Sequence, residues 1–373
     1  MVENRPLLTL LAHLTLILGV AVVALPIWIV LVTSSQRLED VIQAPIPMWF
    51  GDQIVRNYAD VLTAGVQGSF SGAVAPMLLN STIMAVGIAV AATAVIVGLP
   101  RSDAGDHGAL WPVFTGAGLL LAIGALDDAR PLPWWLKLAA QAGAAALAVR
   151  GADLGIDALG SMPLLADALA IAWVVLIANA WNLIDHADGM CAVTGIISAA
   201  VLLAGARLAG DAQLAALWLA LIGGLAGFLC WNLPPARLYL GDAGSLPLGF
   251  LIACGTLATT FWPSERALSS PLALAAPLLI CAVPLFDTAA VVVKRLRRGV
   301  APWRGDRNHL GHRLARRGLG PRAGLAATAA LQAALAASAL QLCTGDQRAA
   351  WLAAAQAVAV LVALTLIETA RDG

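Results

Sequence analysis

Residues 164–209 read LLADALAIAWVVLIANAWNLIDHADGMCAVTGIISAAVLLAGARLA. Two apolar runs, 164–181 and 191–209, flank a short stretch, Asn182–Gly189, in which polar side chains crowd together. Neither run alternates with period two, so strands are excluded, and a helix satisfies its own backbone hydrogen bonds where no water is present. Outward from this stretch the pattern repeats. Apolar runs near 8–32, 75–99, 109–126, 136–149, 214–231, 245–262, 271–293, 323–342 and 350–367 raise the expectation to about eleven helices. Most approach the ~20 residues needed to cross a bilayer, although 136–149 barely does. A chain of 373 residues that is 60% hydrophobic and 12% charged, with a mean hydropathy of +0.84, therefore reads as an all-α polytopic membrane bundle of 10–11 transmembrane helices. Soluble-enzyme, disulfide-rich and disordered classes are excluded by the same figures.

Lys+Arg 22 and Asp+Glu 22 cancel, so no global field attracts nucleic acid, and any electrostatic message lies in where charges sit. The strongest bias is KRLRRGVAPWRGDRNHLGHRLARRGLGPR, Lys294–Arg322, whose Lys and Arg side chains face the single acid Asp306. Such a loop is expected on the cytoplasmic side. Counting helices backward from it returns Asn232–Asp242, Asn182–Asp188 and the pair Asp127 and Asp128 to the same face. Cys191, Cys230, Cys254 and Cys281 lie in or at the ends of apolar runs without CxxC spacing and read as buried thiols. Gly223 and Gly227 have the small-xxx-small spacing that lets helices pack closely.

Four polar clusters thus converge. In GALDDARPLPWWLKLAAQ, Asp127 and Asp128 end one helix and Lys137 opens the next. Adjacent carboxylates repel unless a cation, a proton or a basic group shares them. NAWNLIDHADG supplies Asn179, Asn182, Asp185, His186 and Asp188, a polar density that a membrane helix does not carry for packing alone. Oxygen donors of this type suit a hard cation such as Mg²⁺, and the spacing is not that of an EF-hand. His186 reads as a hydrogen-bonding neighbour. WNLPPARLYLGDAGSLPLGF sets Asn232, Arg237, Asp242 and Ser245 in a loop, with Gly241 and Gly244 bracketing the acid so that backbone amides can approach a phosphate. The fourth cluster joins Asp287, costly inside a span unless it faces a polar cavity, to DRNHLGHRL with Arg307, His309 and His312. Two histidines amid so many cations make a poor zinc site and a good anion site. Acids for a divalent cation and bases for phosphates at a membrane edge are the requirements of phosphoryl chemistry, in which a soluble donor meets a lipid acceptor.

The runs LDD at Leu126–Asp128, NLIDHADG at Asn182–Gly189, NLPPARLYLGDAGSLPLG at Asn232–Gly249 and DRNHLGHRL at Asp306–Leu314 resemble, in order and spacing, the polyprenyl-phosphate N-acetylhexosamine-1-phosphate transferases, or glycosyl transferase family 4. The resemblance covers about 95–345. It implies transfer of a phospho-sugar from a UDP-N-acetylhexosamine-type donor to undecaprenyl phosphate, with Mg²⁺ (Mn²⁺ as a substitute) and release of UMP. By the same resemblance Asn182 and Asp242 match metal-binding positions, with Asp185 beside them. Asp127 and Asp128 match the acidic pair that binds or deprotonates the lipid phosphate, so Asp127, Asp128 and Asp185 form the expected catalytic set. Asp188 falls where the nucleotide is contacted, and His309 and His312 fall near the diphosphate and sugar. Lys137, Asn179, Asn232 and Arg307, from the same clusters, complete the expected substrate contacts. Expected partners are the donor, the polyprenyl phosphate and the bilayer, with no nucleic acid, and a homodimer is compatible with the chain.

Two positions depart from the family pattern: Gly311 stands where many members carry a further histidine, and His186 replaces a common glycine. The family's first two helices and their Pro-Arg-Gly-Gly loop are not visible before residue 100. Residues 1 to about 93 instead resemble the start of the sn-glycerol-3-phosphate ABC importer permease. The expected organisation is a permease-like segment 1–94 with two spans, a transferase domain 95–345, and a last helix and tail 346–373. The rival readings are a permease subunit or an inactive hybrid. A permease needs a Glu-Ala-Ala loop to grip its ATPase, and none of Glu3, Glu39, Glu265 and Glu368 is followed by Ala-Ala.

Overall fold

The computed structural model describes residues 110–154, 156, 161–260, 271–299, 309–316, 318–344 and 347–369, and in the N-terminal quarter residues 28, 32–37, 40 and 49–63. Apart from Trp28 and Val32, the expected spans 8–32 and 75–99 lie outside the described residues. The chain divides into two compact units, Met1–Ser81 and Thr82–Gly373. In the first, helix α1 (Ile54–Thr63) follows a turn in which Ser35 Oγ accepts the Gly51 N–H at 2.8 Å and Asn57 Nδ2 donates to the carbonyls of Ser34 and Gln36. Trp28 and Phe50 meet edge to face there at 5.2 Å.

The described residues of the second unit form helices joined by turns and short loops, with no strand among them. In chain order its elements are α2 (Trp111–Ala129), α3 (Trp134–Gly151), α4 (Pro163–Ile184), α5 (Met190–Ala209), α6 (Ala212–Asn232), α7 (Gly241–Thr260), a 3₁₀ turn (Pro271–Ala275), α8 (Ala276–Ile280), α9 (Ala282–Arg297), α10 (Leu310–Arg316), α11 (Pro321–Thr344) and α12 (Gln347–Thr369). Seven of these are long and apolar enough to cross a membrane: α2, α4, α5, α6, α7, α11 and α12. The protein is a multi-pass membrane protein. Helix α3 forms over the short 136–149 run but stays outside that set, because Trp134, Trp135, Lys137, Gln141 and Arg150 leave its 18 residues too polar on average.

Helix α7 is the hub. It packs on α2, α4 and α5, and 67% of its spanning window is buried, against 17% to 44% for the other spans. Glycines permit the closeness: a Cβ at Gly249 would sit 2.8 Å from Ala178 Cα and 2.9 Å from Ile177 O, and a Cβ at Gly124 of α2 would strike the backbone of Asp242. Van der Waals contact of this kind drives helix association where lipid is as apolar as the core. Polar pins join the helices, with Trp173 Nε1 donating to Thr256 Oγ1 at 3.0 Å and Asn179 Nδ2 donating to Gln141 Oε1. Each such bond contributes about 0.6–2 kcal/mol within a bilayer.

Four expectations change. The run 271–293 is not one continuous helix, since it breaks at Cys281 with a 75° bend. Pro284 carries no N–H, so the Ile280 carbonyl has no helical donor. Ser198 Oγ (2.7 Å) and Gln332 Nε2 (2.6 Å) replace that donor, and Gln332 Oε1 accepts the Val283 N–H at 3.1 Å. A Cβ at Gly223 would meet nothing within 4 Å among the described residues, so Gly223 closes no helix contact there, and Cys230 is exposed rather than buried. Both lie on the outward stripe 219, 223, 226 and 230 of α6, spaced at three to four residues. Cys191, Cys254 and Cys281 are buried free thiols. Lastly, helix α7 starts at Gly241 rather than Ser245, so Asp242 lies in a first turn and not in a loop.

Candidate active site

The start of α7 organises the site. Gly241, at φ +65°, turns the chain into the helix. Asp128, at the end of α2, accepts the N–H groups of Asp242 and Ala243 at 3.0 Å each, which satisfies two orphan amides and places a carboxylate at the positive end of the helix. This capping extends α7 by the extra turn. Asp127 turns the other way. Its Oδ1 accepts the Leu132 N–H at 2.6 Å, and its Oδ2 lies 3.0 Å from Lys137 Nζ. The adjacent carboxylates thus avoid each other by binding different groups.

Lys137 Nζ also lies 3.1 Å from Asp242 Oδ2 and so joins the first and third clusters across 105 residues of sequence. Asn182 Nδ2 donates to Asp242 Oδ1 at 2.6 Å and to Ser245 Oγ at 3.0 Å, bringing in the second cluster. Asp185 Oδ2 accepts the Gly241 N–H at 3.1 Å. Burial pushes the Asp185 carboxyl from 3.8 up to about 7; the Gly241 amide opposes the rise, and the negative charges of Asp242 and Asp128 add to it. Four carboxylates, Asp127, Asp128, Asp185 and Asp242, therefore gather at the start of α7, where Asp127 and Asp242 share one ammonium. This negative excess, made entirely of hard oxygen donors, fits a divalent cation of the Mg²⁺ type.

The loops around this core are tied to one another. Asn232 Oδ1 accepts the Gly189 N–H at 2.9 Å and its Nδ2 donates to Leu238 O at 2.7 Å, while Asp188 Oδ2 accepts the Ala236 N–H at 2.9 Å. Asn179 is held by Gln141 and by Val175 O.

The fourth cluster has its own anchor. Asp287 is fully buried and pairs with His309 Nδ1 at 2.9 Å, the Leu310 N–H at 2.6 Å and Arg313 Nη2 at 3.1 Å. The cost of an acid inside a span is thereby met by three partners. Arg307 and the side chain of His312 lie outside the described residues. His186, Asp287 and His309 offer ligand atoms within 4.8 Å of one another. Both Asp287 oxygens and both His186 ring nitrogens are occupied by protein groups, so this is a hydrogen-bonded network rather than a vacancy for a metal. Asp287, Ser245, Arg313 and Gly124 all position the site but were not among the expected site residues. Asp287, as an acid inside an apolar run, and Ser245, in the third polar cluster, carried a signal without an assigned role; Gly124 and Arg313 carried none of their own.

Residues 110–260 match the family described as glycosyl transferase family 4. This stretch is similar to glycosyl transferase family 4. Among individual relatives, the chain is 30% identical over 237 residues to the "Probable undecaprenyl-phosphate N-acetylglucosaminyl 1-phosphate transferase" of Bacillus subtilis, covering 61% of this chain and 64% of that protein. It is 32% identical over 227 residues to the decaprenyl-phosphate N-acetylglucosaminephosphotransferase of Mycolicibacterium smegmatis, 54% of this chain and 55% of that one. A separate 90-residue match, 36% identical, is to the sn-glycerol-3-phosphate transport system permease protein UgpE of Agrobacterium fabrum, covering 24% of this chain and 32% of that protein. The chain thus spans between just over half and just under two thirds of these transferase relatives. The matched residues include Asp127, Asp128, Lys137, Asn182, Asp185 and Asp242 together.

Proposed function

We propose that the family 4 segment transfers a phospho-N-acetylhexosamine, or a related phospho-sugar, from a UDP-sugar to undecaprenyl phosphate and releases UMP. The reaction takes place at the cytoplasmic membrane face and begins a cell-envelope glycan. The observation that carries this reading is the union, at the first turn of the buried helix α7, of Asp242 with Asn182, Lys137 and the Asp127–Asp128 pair. A lipid phosphate oxygen attacks the β-phosphorus of the donor. The bond from that phosphorus to the bridging oxygen breaks, and UMP leaves with the electron pair, so that a polyprenyl diphosphate sugar remains.

Asp242 and Asn182, with Asp185 beside them, are the residues that would hold Mg²⁺, whose charge neutralises the diphosphate when it is bound. Asp128 keeps the α7 amides in place. Lys137, shared by two acids at 3.0 and 3.1 Å, is a mobile donor that can turn from Asp127 toward a phosphate oxygen. Asp127 is then freed to accept a proton from the lipid phosphate. His309, oriented by Asp287, faces the diphosphate side through its Nε2. The basic segment 294–322 supports the cytoplasmic orientation and draws the anionic donor.

The test is a UMP-release assay of the purified full chain with undecaprenyl phosphate and a panel of UDP-sugars, with and without Mg²⁺. UMP from at least one donor, abolished by a chelator, is the expected result; none from any donor would overturn the reading. The permease match supports a second reading, a membrane component of a glycerol-3-phosphate importer. That reading expects co-purification with an ATPase subunit and no UMP.

A further inference from the structure

His186 lies one residue from Asp185, in the turn between α4 and α5. Its Nδ1 is 3.0 Å from Leu183 O, and a carbonyl oxygen only accepts, so Nδ1 carries the hydrogen. The other nitrogen, Nε2, is then a lone-pair acceptor, and the Gly311 N–H donates to it at 3.2 Å. The ring is neutral and held from both ends. Its face stacks on His309, with centroids 4.5 Å apart and planes at 26°.

His309 is itself fixed at one nitrogen. Its Nδ1 donates to Asp287 Oδ2, and the Leu310 amide and Arg313 occupy the other oxygen. The nitrogen that remains for a substrate is Nε2, and its direction depends on the ring angle that His186 sets from one face. The interface has no slack: a Cβ at Gly311 would lie 2.9 Å from Ala187 Cβ, 3.0 Å from His186 Nε2 and 3.1 Å from Met190 Sδ. The two positions that depart from the family pattern, 186 and 311, are therefore in contact.

We propose that His186 is a positioning residue: by stacking on His309 and accepting the Gly311 amide, it docks the histidine segment on the turn that carries Asp185, so that the imidazole and the acidic core act on one substrate. The turn makes the link continuous, since Asp185 holds the start of α7 through the Gly241 N–H while the adjacent residue holds α10. The role rests on the proposed transferase reading, yet it has a signature of its own.

The experiment has two arms on the purified full chain. In the first, ¹⁵N-histidine labelling reports the imidazoles of the five histidines, assigned by single substitution. A neutral Nδ1–H form is expected for His186, and His186→Ala should shift the His309 resonances. In the second, UMP release is measured for His186→Ala and His186→Phe, with thermal unfolding as a control. The Ala variant should lose about tenfold or more in kcat with KM for the lipid phosphate unchanged, because orientation is lost rather than binding. The Phe variant keeps the flat ring and should recover most of that loss. Should His186→Ala fail to fold, Gly311→Ala, which pushes on the same ring, should move the His309 resonances and lower kcat in the same way. Unmoved His309 resonances, or an Ala variant at parent kcat, would overturn the proposal. If the parent releases no UMP, the transferase reading fails, and the resonance arm still decides whether His186 orients His309.

Discussion

Asp242 and Asp185 make opposite demands on the same few ångströms. Asp242 is held by Asn182 and Lys137, and Asp185 by the Gly241 backbone amide amid neighbouring negative charge. Replacing Asp242 with Asn keeps the shape and removes the charge that a cation would grip; UMP release should fall by about 10²-fold or more, with thermal unfolding within a few degrees of the parent. An equally active Asp242→Asn protein would remove the metal role. For Asp185 the sign follows from its carboxyl lying near 7 when folded and 3.8 when exposed. The folded state binds the proton more tightly, so the associated stability is complete below the exposed value and is lost as pH rises through the folded one. In a chelator, the melting temperature should fall from about pH 5 to about pH 8 in the parent, and Asp185→Asn should flatten that slope. Equal slopes would show that Asp185 does not carry the linkage. Asp242, Asn182 and Asp185 were legible in the sequence because polar side chains at the end of an apolar run are conspicuous. The part played by Asp128 as the cap of α7 was not, because its partner lies 114 residues away.

The 75° break between α8 and α9 shows what an element can hide from its own sequence. Pro284 announces a missing donor, but nothing local says where the freed carbonyl finds a partner. Gln332 of α11 and Ser198 of α5 supply it from two other helices. Gln332→Leu leaves both Ile280 O and the Val283 N–H weakly satisfied in an apolar surround and should destabilise the fold by about 1–3 kcal/mol, read as a lower melting temperature in detergent. Gln332→Glu, which keeps an acceptor for Val283, should lose less. Helix α2 offers a second case. Gly124 lies against the Asp242 backbone, so Gly124→Val should force α2 away from α7, separate Asp128 from the amides it caps, and abolish UMP release even where the protein remains folded. An active Gly124→Val protein would mean that the capping contact is dispensable.

Across the molecule, helices α2, α4, α6 and α9 end, and α3, α5, α7 and α11 begin, at the end of the bundle that holds the acidic and histidine networks. With Cys230 replaced by Ser, a cysteine at Arg130 and one at Gly320 should react with an impermeant thiol reagent from the same side of the membrane, and one at Met162 from the other. Labelling of Arg130 and Gly320 positions from opposite sides would break the topology. The helical class and the placing of four polar clusters at the ends of apolar runs followed from the sequence by itself, because apolar length and polar interruption are local properties that add along the chain. Which cluster touches which was decided only in three dimensions. The turn of Asp128 onto α7 and the sharing of Lys137 between two acids arise where α2 and α7 approach at Gly124, and the stacking of His186 on His309 arises where Gly311 lies against the turn between α4 and α5. Contact between distant residues is set by how side chains interlock, and no window of sequence contains both partners.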